Sequence, residues 1–111
     1  MTSRQQSKGD RAERELAAII HDLTGWNVRR KLGAGRSDDT GDLDGIPDTT
    51  AQAKNYTDLL RAIRECLHDL PTQQANAGTT HAVGFVRRRG GQWVAVMNLD
   101  QWATLAREAL R

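Results

Sequence analysis

"DLDGIPDTTAQAK", running from Asp42 to Lys54, decides the fold. It reads as two short strands, "GDLDGI" (41–46) and "TAQAKNY" (50–56), joined by a turn around Pro47 and Asp48. Residues two apart on a strand share a face, so Gln52 and Lys54 project together while Ala51 and Ala53 point the other way. The same parity puts Asp42 and Asp44 on one face of the preceding strand, where a hairpin sets them beside Gln52 and Lys54.

Upstream, the first seven residues are polar and read as a flexible N-terminus, and "SKGDRAERELAAIIHDLTG" (7–25) predicts a helix from near Asp10, stopped by Gly25. Leu16, Ile20 and Leu23 form its apolar stripe. Counting back by three from Leu16 lands on Glu13, so this carboxylate is expected at the end of the inward stripe, with Glu15 to one side. "WNVRRKL" (26–32) reads as a first strand and "GAGRSDDTG" (33–41) as a basic-to-acidic loop. Downstream, a helix from about Thr57 to Ala77 carries a stripe of Leu59, Ile63, Cys66 and Leu70, with Gly78 as its stop and Pro71 as a kink or restart. "HAVGFVRR" (81–88) and "QWVAVMNL" (92–99) flank the turn "RRGG", and "DQWATLAREALR" (100–111) closes the chain as a helix with Asp100 at the N-cap. The order is α-β-β-β-α-β-β-α, an α/β sandwich with helices on a mixed five-stranded sheet.

With 111 residues the chain fits one small domain, here residues 8–111, so an active site has to share the core that folds the protein. Sixteen Lys and Arg against fourteen Asp and Glu leave a formal charge of only +2, but the charges are segregated. Val28 to Arg36 holds Arg29, Arg30, Lys31 and Arg36 and no acid, whereas Ser37 to Thr50 holds five aspartates and no base. The single cysteine, Cys66, excludes an intramolecular disulfide and suits a reducing compartment. With no apolar run able to span a bilayer and no apolar leader, the sequence predicts a soluble, cytoplasmic protein with no membrane partner, in the host cytoplasm if phage-encoded. His21, His68 and His81 share no zinc-ligand spacing, and Trp26, Trp93 and Trp102 sit among apolar neighbours as core or interface residues.

Five polar side chains are thus expected to converge: Glu13, Asp42, Asp44, Gln52 and Lys54. Mg²⁺ prefers a few oxygen ligands with retained waters, and a nearby lysine can orient an attacking water and stabilise charge building on a phosphate. On these residues the chain resembles the PD-(D/E)XK nuclease superfamily: Glu13, then Asp42 followed by Leu43, then the x-Gln-x-Lys of Gln52 and Lys54. The opening "KGDRAEREL" (8–16) resembles the archaeal-type Holliday-junction resolvases, and "VRRRGGQWVAVMNLDQWATLARE" (86–108) the closing hairpin and helix of such small nucleases.

The resemblance implies a restriction-endonuclease-like core and a Mg²⁺-dependent, structure-selective DNA endonuclease, with Mn²⁺ able to stand in. It implies Glu13, Asp42, Gln52 and Lys54 as catalytic residues, the first three holding metal, and a four-way junction as substrate cut by a homodimer. Gln52 departs from the pattern: an amide oxygen can ligate a hard cation but carries no charge. Asp44 is the expected compensator, and parity leaves open which of Asp42 and Asp44 is the central ligand. Lys8, Arg11, Arg29, Arg30, Lys31, Arg36, Arg87 and Arg88 are candidate DNA contacts, with Gly33 and Gly35 admitting backbone amides to phosphate. Two other readings stand beside the resolvase: a nuclease of the same fold acting on duplex or flap DNA, and a DNA-binding module whose site is degenerate at Gln52.

Overall fold

The computed structural model describes residues 4–31 and 38–111, with side chains from Gly9 onward in the first helix. The side chain of Lys8, and Gly33, Gly35 and Arg36, lie outside the described residues.

The elements follow in the order α1 (Arg4–Thr24), β1 (Arg29–Arg30), β2 (Leu43–Asp44), β3 (Thr49–Lys54), α2 (Leu59–Ala77), β4 (His81–Arg87), β5 (Trp93–Val96) and α3 (Leu99–Ala109). The expected order holds, but several boundaries move. Helix α1 begins at Arg4, six residues before Asp10, because a lone glycine at position 9 costs a helix only about 1 kcal/mol and the residues before it propagate one well. The first two strands shrink to two residues each. Asp100 falls inside the first turn of α3, whose N-cap is Asn98.

The strands form one sheet in sequential order, antiparallel except for β3 against β4, which run parallel. A parallel pair needs a crossover, and α2 supplies it. Asp58 caps α2 by accepting from Arg61 N–H at 3.1 Å, and Gly78 ends it in the left-handed conformation (φ 71°) with its N–H on Gln74 O. The helix runs on through Pro71 without a break.

Alternation on β3 and β4 then divides the core. Ala51 and Ala53, with Val83 and Phe85, pack under Leu16, Ala17 and Ile20 of α1. Ala82 and Val96 pack under Cys66 and Leu70 of α2, on the face that also carries Thr50, Gln52 and Lys54. Leu23, expected in the α1 stripe, is 80% exposed, and Ala12 and Ala17 complete the buried face instead. Gly84 lets α2 sit this close to the sheet: a methyl group there would collide with Cys66 Sγ. Burial pushes the Cys66 thiol up to about 11, which fits a core residue.

Helix α3 covers the start of β4 beyond the end of β5, where Gln101 Oε1 accepts from Ala82 N–H at 3.0 Å and Gln101 Nε2 donates to Gln74 Oε1 of α2. Its Leu99 and Trp102 stay largely exposed. No helix among the described residues is long and apolar enough to cross a membrane.

Candidate functional site

Asp42 sits immediately before β2 and is fixed at both ends to β3. Its N–H donates to Ala51 O at 2.8 Å, and its Oδ2 accepts from Ala53 N–H at 2.9 Å. Gly41 permits this approach: with φ 94°, a side chain there would be strained and would press its Cβ to 2.7 Å from Ala51 O. The Asp42 carboxyl group is therefore held against the strand between Gln52 and Lys54. Burial pushes it from the ordinary 3.8 up to about 6, and the negative charges of Glu13 and Asp39 add to this against the opposing Ala53 N–H and Lys54 ammonium.

Glu13 comes to the same place from α1, half-buried as the inward count predicted. Its Oε2 accepts from Arg30 Nε at 3.0 Å, while Arg30 also reaches Asp10 at 2.7 Å. Lys54 enters from β3 with 15% of its side chain exposed. Its Nζ lies 3.7 Å from Asp69 Oδ2 and 5.5 Å from the centre of the Tyr56 ring. Burial opposes the Lys54 charge, but Tyr56, Asp69 and Asp42 outweigh it and hold the ammonium above its usual value. Glu13, Asp42, Gln52, Lys54, Tyr56 and Arg61 line one cleft of about 690 Å³.

Asp44 does not line that cleft. It is 48% exposed and pairs with Lys31 Nζ at 3.5 Å. Strand parity requires a regular strand through residues 41–46, but the ladder spans only Leu43–Asp44 and the Asp42 side chain folds onto Ala53 N–H. Gln52 is buried, and its Oε1 accepts a hydrogen bond from Gln73 Nε2 of α2. Gln73 Nε2 also donates to Asp39 Oδ2 at 2.8 Å. Among the described residues, no three His, Cys, Asp or Glu side chains form a group able to hold a metal; the acids lining the cleft are Glu13, Asp42 and Asp58, the last of which caps α2.

The expected DNA contacts divide. Arg30 is committed to Glu13 and Asp10, Lys31 to Asp44 and to Thr40 (2.9 Å to its O, 3.1 Å to its Oγ1), and Arg87 to Glu15 at 2.8 Å. Arg11, Arg29 and Arg88 are exposed without side-chain partners among the described residues. Arg29 lines a second groove with Arg14 and His21 along the seam between α1 and β1.

Sequence reading missed Gln73, Asp39 and Asp69. A signal for Gln73 was present: seven residues along from Cys66 and three from Leu70, it continues their apolar stripe as a polar residue, which needs a partner once buried. Comparisons with protein-family models, with characterised proteins and with solved structures give no match for this chain.

Proposed function

We propose that this chain is a Mg²⁺-dependent endodeoxyribonuclease of the PD-(D/E)XK kind. The observation that carries the proposal is the Asp42 carboxyl group, locked between Gln52 and Lys54 and facing Glu13 across one cleft. An Asp42 carboxyl whose ionisation is opposed by burial, lining the same cleft as Glu13, fits a hard dication, and Mg²⁺ commonly binds through one or two carboxylates plus waters and substrate phosphate. Glu13 and Asp42 would hold the ion, which supplies Lewis-acid activation of water and phosphate when bound.

Lys54 stays an ammonium at neutral pH, so it is no proton acceptor in the free protein; it orients water and offsets the charge that builds on the phosphate. Hydrolysis joins a water oxygen to phosphorus and releases the bridging oxygen with a proton. Arg11, Arg14 and Arg29 are exposed on α1 and β1, the last two along a separate groove, and are suited to contact the flanking backbone.

Within that chemistry the favoured substrate is a four-way junction, on the resemblance of the opening "KGDRAEREL". With one such cleft among the described residues of a protomer, paired incisions in two strands require two protomers related by a two-fold axis. A DNA-binding module without cleavage is the second reading, favoured by one observation: position 52 brings an amide, not a carboxylate, to the cleft. Labelled junction, flap and linear duplex, each incubated with Mg²⁺ and with EDTA, separate these. Paired nicks in the junction alone, dependent on Mg²⁺, are expected; retained binding with no cleavage of any substrate would leave only the module.

A further inference from the structure

The amide at position 52 has a defined orientation. A carboxylate only accepts hydrogen bonds, so the Gln73 group 2.8 Å from Asp39 Oδ2 has to be its NH₂. The same NH₂ faces Gln52, which therefore presents its Oε1 to Gln73. Reversing Gln73 would set its oxygen against two oxygens. Asp39 is itself pinned, with Oδ1 accepting from Gly41 N–H at 3.0 Å and its backbone oxygen accepting from Asn76 Nδ2 at 2.8 Å. The arrangement persists although Gln73 Oε1 is left buried without a partner, a situation native proteins largely avoid.

The consequence falls on the cleft. With its oxygen taken, Gln52 has two N–H donors left, without a partner among the described residues, on a side chain that lines the same cleft as Asp42 and Lys54. A cation is repelled by an N–H donor; a phosphodiester oxygen is attracted by one. We propose that Gln52 serves this site as a hydrogen-bond donor to a phosphodiester oxygen, not as a metal ligand, and that Gln73, aligned by Asp39, is the positioning residue that turns the amide that way. This rests on the nuclease reading and assigns position 52 a different part in it. The charge absent from position 52 then needs no replacement from Asp44.

The test measures two affinities without cleavage: Mn²⁺ by electron paramagnetic resonance on the protein alone, and a fluorescein-labelled four-way junction by anisotropy with Ca²⁺ replacing Mg²⁺. Gln52→Leu and Gln73→Leu are each expected to raise the junction Kd on the order of tenfold and to leave the Mn²⁺ Kd within about twofold. Asp39→Asn, a surface change that leaves the core intact, allows Gln73 to reverse; it is expected to weaken junction binding although removing a negative charge alone would tighten it. A tenfold loss of Mn²⁺ affinity in Gln52→Leu would make Gln52 a ligand and overturn the assignment while leaving the nuclease reading in place. Unchanged junction affinity in Gln52→Leu, or tighter binding in Asp39→Asn, would also overturn it. If the unaltered protein binds neither probe, the nuclease reading falls and this inference with it.

Discussion

Replacing Asp42 by asparagine is expected to stabilise the metal-free protein. Burial, with Glu13 and Asp39 behind it, raises the Asp42 carboxyl from 3.8 to about 6. The folded chain therefore binds this proton more tightly than the unfolded chain, and stability falls as pH rises from about 4 through about 6, staying lost above. At pH 7 the full cost is about 3 kcal/mol, from 1.36 kcal/mol for each pH unit of the difference, and water reaching the cleft reduces it to about 1–3 kcal/mol. Asparagine keeps an oxygen for Ala53 N–H and carries no charge to desolvate.

For a domain of this size such a gain corresponds to a Tm roughly 5–15 °C higher. The assay is thermal unfolding in EDTA, followed by circular dichroism, for both proteins at pH 7 and pH 4. The variant should melt higher at pH 7, and the difference should shrink towards zero at pH 4, where Asp42 is neutral in the folded protein. Added Mg²⁺ should raise the Tm of the unaltered protein and not of the variant. An Asp42→Asn protein that melts lower at pH 7, or that keeps its full advantage at pH 4, would refute the reasoning.

Other outcomes follow from single contacts. Gly84→Ala should cost about 2 kcal/mol or more through its collision with Cys66 Sγ, and Cys66→Ala in the same chain should recover much of that loss in urea unfolding. The Cys66 thiol, buried and pushed up to about 11, should react with iodoacetamide at pH 8 only in denaturant, read by mass spectrometry. Arg87 and Trp93 hold the Glu15 carboxyl below its usual range, so this contribution is present above pH 4.5 and lost as pH falls through the lowered value. Glu15→Gln should therefore melt slightly lower at pH 7, with the difference shrinking as pH falls below 4.5.

Much of the sheet was legible because period-two alternation survives in β3 and β4, where both faces are packed. Ala51 and Ala53 had to face one helix and Gln52 and Lys54 the other, and they do. The inward position of Glu13 was legible for the same reason, since its spacing from Leu16 continues a real buried face. The failures fall where regular structure is short. Parity carried Asp44 into the cleft only by extending β2 beyond its two residues, and the pairing of Arg30, Lys31 and Arg87 with acids distant in sequence leaves no local trace. Asp39 joins Gln73 across 34 positions, a contact no local pattern encodes.

The central claim is that Glu13, Asp42 and Lys54 form one hydrolytic site. The most direct measurement is cleavage of a labelled four-way junction by the unaltered protein, Asp42→Asn and Lys54→Met, in Mg²⁺ and in EDTA, with folding of each variant checked by circular dichroism. Mg²⁺-dependent cleavage by the unaltered protein, with both folded variants slower by at least about a hundredfold, is the predicted result. Cleavage that persists in EDTA, or that survives intact in a folded Asp42→Asn protein, would contradict it.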